Sequence, residues 1–313
     1  MGTVAGGFLV VLVVTLAAGA VAARLLGGAD ASAALVLAAM SGAVLAVAGA
    51  VVALTYLISR RHASTPPAGL AVGPLALGWA MLRELAAHVV VFCVLVPFES
   101  LWMRRSAAAG GAPVVLVHGY LCSGGAWLRF ARRLRVRGFA PHAVSLTPAF
   151  GSIDAMADML AREIEAVCAD AGTERVHLVS HSMGGLICRA YLRAHGARRV
   201  ARLVTVGAPH AGTRVALVGL GTNCRQMEPG SAWLADLAAH EARALTAAAA
   251  DGLPPTVSVF SYHDNYVVPQ ESSRLEWARN VPVAGHAHVE MYLSTRIADT
   301  VAAALGENVD PAA

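Results

Sequence analysis

The chain has 313 residues, 57% of them hydrophobic and only 14% charged, with a formal net charge of +4 carried entirely by arginine, since there is no lysine. An ordinary soluble domain is about 45–50% apolar and about 25% charged, so the composition excludes a disordered chain and points to a membrane-associated part. Five scattered cysteines without C-x-x-C or metal-ligand spacing exclude a disulfide framework, and no nucleic-acid motif accompanies the positive charge.

The apolar excess is concentrated at the start. Residues 1–58 hold two charged side chains, Arg24 and Asp30. Residues 4–26 exceed the ~20 that a spanning helix needs, and no basic segment precedes Phe8 as a cleaved signal peptide would require. Residues 33–58 form a second run, followed at once by Arg60, Arg61 and His62. The connection, 27–32, is short. The expectation for 1–63 is an anchor of two antiparallel spanning helices with the basic end cytoplasmic. Residues 64–73, with Pro66 and Pro67, read as a linker. Residues 75–98 are apolar again, but Arg83 and Glu84 interrupt them and His88 follows. A charge at a helix centre costs about 2.5–3.5 kcal/mol on insertion scales, and the uninterrupted part, 85–98, is short. For 64–111 the expectation is therefore a linker with a helix lying at the membrane interface, a third span being the alternative.

From residue 112 the pattern alternates. Strands are expected at 113–117, 142–146, 176–179, 202–206, 256–260 and 281–283, and helices at 126–137, 153–169, from about Met183, and at 295–305. Such alternation predicts an α/β domain over 112–313, a mostly parallel sheet with helices on both faces. Arg129, Arg132, Arg133, Arg135 and Arg137 fall on one of these helices and read as a solvated face, with contact to anionic lipid as the sharper alternative.

The chemistry starts in "RVHLVSHSMGGLICRAYLRAHG" (175–196). A short β-branched run stops at Ser182, and a helical pattern follows with almost no connection. Ser182 must occupy a tight strand-to-helix corner, tolerated because Ser180, Gly184 and Gly185 are small. This is the G-x-S-x-G elbow that exposes a serine hydroxyl, with Ser180 at the first glycine position. The elbow also puts the Met183 N–H at a helix N-terminus, where developing negative charge is stabilised.

A serine needs a base, and the base needs an orienting acid; with such an elbow both follow in the chain, acid first. "TVSVFSYHDNYVVP" ends a strand in a short loop carrying Asp264, whereas Asp251, Glu271 and Glu276 are worse placed. "NVPVAGHAHVEMYLSTRI" offers His286 and His288, which spacing alone does not separate. A second oxyanion donor should come from the loop after the first strand, "APVVLVHGYLCSGGAW", where Gly119 permits close approach and Tyr120 N–H is the natural donor.

Together "PVVLVHGY", "SHSMGGL", "TVGAPHAGT", "SYHDNYVVPQESSRL" and "NVPVAGHAHVEM" resemble the α/β-hydrolase lipases and esterases, specifically small bacterial triacylglycerol-lipase-like enzymes, from about residue 112 to the end. The resemblance implies an α/β-hydrolase fold and a serine ester hydrolase, lipase or carboxylesterase, acting through an acyl-enzyme without metal or organic cofactor. Laid on the final motif, it places the catalytic histidine at His288, leaving His286, with His118 and His181, as supporting residues behind Ser182, Asp264 and His288. Tyr120 and Met183 supply the oxyanion hole. His210 in "PHAGT" is structural by the same resemblance, and the short 213–254 stretch leaves no room for a large lid domain. The implied substrate is a lipid or other ester; the apolar segments, which lie outside the resemblance, add the bilayer as a partner and set the expected location as the bacterial inner membrane, multi-pass, with the catalytic domain on the cytoplasmic side, or on the opposite side if 75–98 spans. The same residues would also serve a thioesterase, a lipid-anchor deacylase or an acyltransferase. A membrane scaffold with a dead hydrolase domain is the rival from another class.

Overall fold

A computed structural model describes residues 3–28, 31–102, 110–246 and 252–307. Asp30, Asp251 and part of the 64–111 segment lie outside them. Three apolar helices come first: α1 (Thr3–Gly27), α2 (Ala33–His62) and α3 (Pro74–Val90), the last continuing as a π turn to Leu95. Each is long and apolar enough to cross a membrane, α3 when counted through Leu95. α1 and α2 are antiparallel neighbours. They touch at Gly19, where a Cβ would sit 2.7 Å from the Ala39 carbonyl oxygen, the close backbone approach that small residues permit between apolar helices. Ser32 starts α2 by accepting the Leu35 N–H.

The hairpin's loop end stands free, with Val21, Leu25, Leu26 and Leu37 exposed. Its other end is packed. Val4 belongs to the core of the following domain, and Val52, Thr55, Tyr56 and Ser59 are buried.

α3 lies along the same domain. Its outer face exposes Leu75, Trp79 and Leu82, while Ala80, Glu84, Ala87 and His88 are buried. The two charges that the sequence reading treated as an obstacle to insertion are both engaged by the domain. Arg83 Nε donates to Glu290 at 2.6 Å. Glu84 accepts the N–H groups of Val289 and Glu290 at 3.0 and 2.9 Å. Neither needs the other as a partner, because each finds one about 205 residues later in the chain.

The domain is a six-stranded, wholly parallel sheet in the order β2-β1-β3-β4-β5-β6. The strands are β1 (Ala112–Val117), β2 (Phe139–Ala143), β3 (Val176–His181), β4 (Val200–Val206), β5 (Thr256–Ser261) and β6 (Arg279–Val283). Side chains alternate between faces. Val114 and Leu116 pack with α4 (Leu128–Val136) and α9 (Thr295–Gly306); Val115 and Val117 pack with α5 (Ile153–Ala171) and α6 (Met183–His195). A single-turn helix, α7 (Thr222–Gln226), and a longer one, α8 (Ala232–Thr246), complete the second layer.

β2 starts and ends three residues earlier than expected. Gly138, at φ +87°, turns the chain straight into the sheet edge, where Pro141 costs no ladder bond. Val144 and Leu146 are buried in the core with Val115 and Val117, but past the end of the strand, where Val144 N–H makes a last bond to the Leu116 carbonyl at 3.2 Å. The arginine cluster on α4 is partly neutralised within the fold, Arg133 and Arg137 both reaching Asp299 at 2.7 Å.

Candidate active site

β3 ends at His181 and α6 begins at Met183, so Ser182 alone makes the corner. Its backbone sits at φ 56°, ψ −130°, a sparsely populated region that costs on the order of 1–3 kcal/mol for a residue with a Cβ. The surroundings enforce it. Ser182 N–H donates to the Val206 carbonyl at 2.9 Å, anchoring the corner to β4. A Cβ on Gly184 would meet the Val117 carbonyl oxygen at 2.5 Å, and one on Gly119 would meet the Ser182 Cβ at 2.8 Å. Glycine at these positions is a matter of room. The Ser182 hydroxyl does not cap α6 and faces a cavity instead.

The backbone N–H groups of Tyr120 and Met183 have no hydrogen-bond partner among the described residues. They belong to the two segments packed around Ser182: the 119–120 peptide through Gly119, and the first turn of α6. His118 fixes the first of these. Its Nδ1–H donates to the Gly119 carbonyl at 2.8 Å and its Nε2 accepts the Leu146 N–H at 2.9 Å, which sets the tautomer. Burial pushes its pKa down, favouring the neutral ring. Gly119 N–H donates to the Tyr292 hydroxyl at 3.1 Å, holding the loop from the other side.

Asp264 and His288 come together from the ends of β5 and β6. His288 Nδ1–H donates to Asp264 Oδ2 at 2.8 Å, and both are buried. The other oxygen of Asp264 accepts the N–H groups of Tyr266 and Val267 at 2.7 and 2.8 Å, so the carboxylate cannot swing away. Burial alone would lower the His288 pKa. The charge and hydrogen bond of Asp264, with the charge of Glu84 behind it, outweigh burial and raise it above its ordinary value. His288 is held further by His181, whose Nε2–H donates to the His288 carbonyl at 3.0 Å. His181 is pushed well below its ordinary pKa by burial and by the neighbouring His288. No hydrogen bond links Ser182 Oγ to His288 among the described residues, and bonds of this kind often tighten only when substrate is bound.

His286 goes elsewhere. Its Nδ1 pairs with Glu290 at 2.8 Å, the carboxylate that also holds Arg83. His210 is buried between Thr205, 3.0 Å from its Nε2, and Arg189, which donates to its carbonyl. Sequence reasoning missed three residues here. Asn265 accepts the His288 N–H at 3.1 Å and donates to Thr55 of α2 at 2.8 Å. Glu84 caps the turn that begins at His288. Tyr292 carries the Gly119 amide. Only Asn265 left a signal, its place beside the acid in "YHDNY". No cluster of three or more histidine, cysteine or acidic side chains placed to hold a metal occurs among the described residues.

The cavity beside Ser182 has a volume of about 360 Å³ and an apolar lining drawn from the 213–227 segment and from all three N-terminal helices. Residues 213–246 of the short 213–254 stretch hold a 3₁₀ turn, α7 and α8, and they are tied down where the Tyr120 hydroxyl donates to the Leu220 carbonyl at 2.8 Å.

Residues 112–223 match the family described as alpha/beta hydrolase fold. Among solved structures, the mature form of Bacillus licheniformis lipase BlEst2 superposes with a TM-score of 0.53 at 19% identity, over 64% of this chain and 94% of that one. Its propeptide form gives 0.51 at 20% identity, over 64% of this chain and 51% of that one. These likenesses concern the fold. From Ala112 onward the chain has the α/β-hydrolase fold, set behind three helices long and apolar enough to cross a membrane.

Proposed function

We propose that the protein is a membrane-anchored serine hydrolase of carboxylic esters, a lipase or carboxylesterase. One juxtaposition carries the reading: Ser182 at a strained corner, between two unpaired N–H groups, in the layer of loops that also holds the hydrogen-bonded Asp264–His288 pair. In the proposed reaction His288 Nε2 takes the Ser182 proton as Oγ attacks the ester carbonyl. The Tyr120 and Met183 N–H groups stabilise the oxyanion. The alcohol leaves with the proton from His288, which then activates water to release the acid. Asp264 holds the imidazole in its productive tautomer. A fluorophosphonate probe tests this directly. The expected result is stoichiometric labelling that Ser182→Ala abolishes. Labelling that survives the substitution, or wild-type protein that never labels, would remove Ser182 from the mechanism and favour the inactive-scaffold alternative.

The proposed arrangement in the membrane follows from where the domain is tied. Asn265 and Gln270 bond Thr55 and Ser59 near the C-terminal end of α2, just before Arg60 and Arg61. The domain therefore sits at the basic end of the hairpin, the cytoplasmic side by the positive-inside tendency, with α1 and α2 spanning the inner membrane and α3 lying at its surface. A single cysteine at an exposed domain site, in a protein whose native cysteines are replaced, should resist a membrane-impermeant thiol reagent on intact cells. Labelling there would reverse the orientation.

A further inference from the structure

We infer that α1 and α2 form the acyl-chain site of the enzyme, and that its substrate is a bilayer lipid ester whose fatty chain lies against these helices while still in the membrane. This rests on the ester-hydrolase reading above and names the substrate class for the same serine.

The cavity that Ser182 faces is lined on α1 by Phe8, Val11, Leu12 and Thr15, and on α2 by a stripe from Val44 to Thr55. Both sets recur at helical spacing, so each is one face of its helix. The helices thus present a continuous groove, not scattered contacts. The α2 stripe runs about 16 Å along the axis, roughly half of the ~30 Å hydrocarbon core. Its Thr55 end is the reactive end, because Thr55 bonds Asn265, which in turn bonds the His288 amide. Its Val44 end points along the hairpin toward the free loop, away from the domain.

The groove is therefore parallel to the spanning helices. A lipid chain in its ordinary bilayer orientation, with the ester at the interface, matches this line without leaving the membrane. Extracting that chain into water would expose its methylenes, which is unfavourable in proportion to area; a groove continuous with lipid avoids the step. The walls are not sealed by protein, since Val11 and Val47 remain 54% and 49% exposed. The lining also has little to offer a polar ligand. Thr15 is bonded to the Val11 carbonyl, Thr55 to Asn265, and His88 to the Tyr266 hydroxyl. Ser182 is left as the hydroxyl available for chemistry.

The test uses the full chain in lipid nanodiscs, with active sites counted by a small fluorophosphonate. p-Nitrophenyl butyrate and p-nitrophenyl palmitate are compared in wild type, Val51→Trp, Ala48→Trp and Leu37→Trp. The first two substitutions fill the groove; Leu37 lies on the exposed half of α2, outside it. The expected result is a fall in the palmitate-to-butyrate ratio of kcat/KM by roughly tenfold or more in Val51→Trp and Ala48→Trp, with the Leu37→Trp ratio unchanged. A ratio in both groove variants equal to wild type overturns the acyl wall while leaving the serine hydrolase intact. Butyrate turnover that persists in Ser182→Ala overturns the ester-hydrolase reading, and this inference with it.

Discussion

The two sides of the cavity are built on opposite principles. On the sheet side, positions are held by polar bonds in relay: His118 on Gly119, Asp264 on His288, Asn265 on the His288 amide. Burial there makes each bond strong and each unpaired atom costly. On the helix side the lining is apolar and its few polar groups already have hydrogen-bond partners. Contacts there are non-directional, so shape and length decide what fits. The difference teaches where substitutions should act. Changes on the sheet side should alter the rate for every ester, and changes on the helix side should alter which ester is preferred.

The sharpest break comes from the reacting group. Ser182→Ala and His288→Ala should each lower kcat by about 10⁴–10⁶-fold, for short and long esters alike, read by p-nitrophenyl ester turnover in the folded protein. Asp264→Asn should cost about 10³–10⁴-fold and also move the pH profile. In the wild type, the His288 pKa lies above its ordinary value, so kcat/KM should fall as pH drops through that raised value and the base becomes protonated. Removing the Asp264 charge leaves burial to dominate, and the acid limb should shift to lower pH. An unshifted limb would mean that another group titrates.

Gly119→Ala should come next, at roughly 10²-fold in kcat, because the new methyl lies 2.8 Å from the Ser182 Cβ and the oxyanion loop must move. A smaller loss would show that the 119–120 peptide can shift without cost. Glu84→Ala removes the acceptor of two buried N–H groups, which should destabilise the protein by about 1–3 kcal/mol. It should lower kcat more than it raises KM, as measured by thermal unfolding and steady-state kinetics at a pH where His288 is neutral. The smallest effect belongs to His286→Ala. That ring is bound to Glu290 and not to Asp264, so activity should stay within about tenfold; a loss as deep as that of His288→Ala would reverse their roles.

Much of the sheet was legible because its strands are short β-branched runs, as at Val114–Val117 and Val257–Val259, bounded by glycine or polar corners. The edge strand β2 was not, since Pro141 and His142 break the apolar pattern and the buried Val144 and Leu146 next to it imitate one. The serine corner was legible from small residues at fixed spacing. The histidine pairing was legible only through the motif resemblance, which put the catalytic ring at His288: spacing does not separate two histidines two apart, whereas their place in space pairs one with Asp264 and the other with Glu290. The groove on α1 and α2 was hidden for a different reason. Both helices are apolar all round, so a face that lines a cavity and a face that meets lipid look the same in sequence. The partners of Arg83 and Glu84 were hidden because local reasoning asks whether neighbours neutralise each other, whereas theirs lie about two hundred residues away.

That separation has a consequence for synthesis. Glu84 is made early, yet the amides it accepts belong to Val289 and Glu290. At about 5–20 residues per second, a ribosome needs on the order of 10–40 s to deliver them. For that interval the carboxylate has to find other partners, water among them, with α3 undocked. Docking is therefore a late event that requires nearly the whole polypeptide, and a chain that stops short of β6 would leave Arg83 and Glu84 side by side on one helix, both without the partners they find in the folded protein.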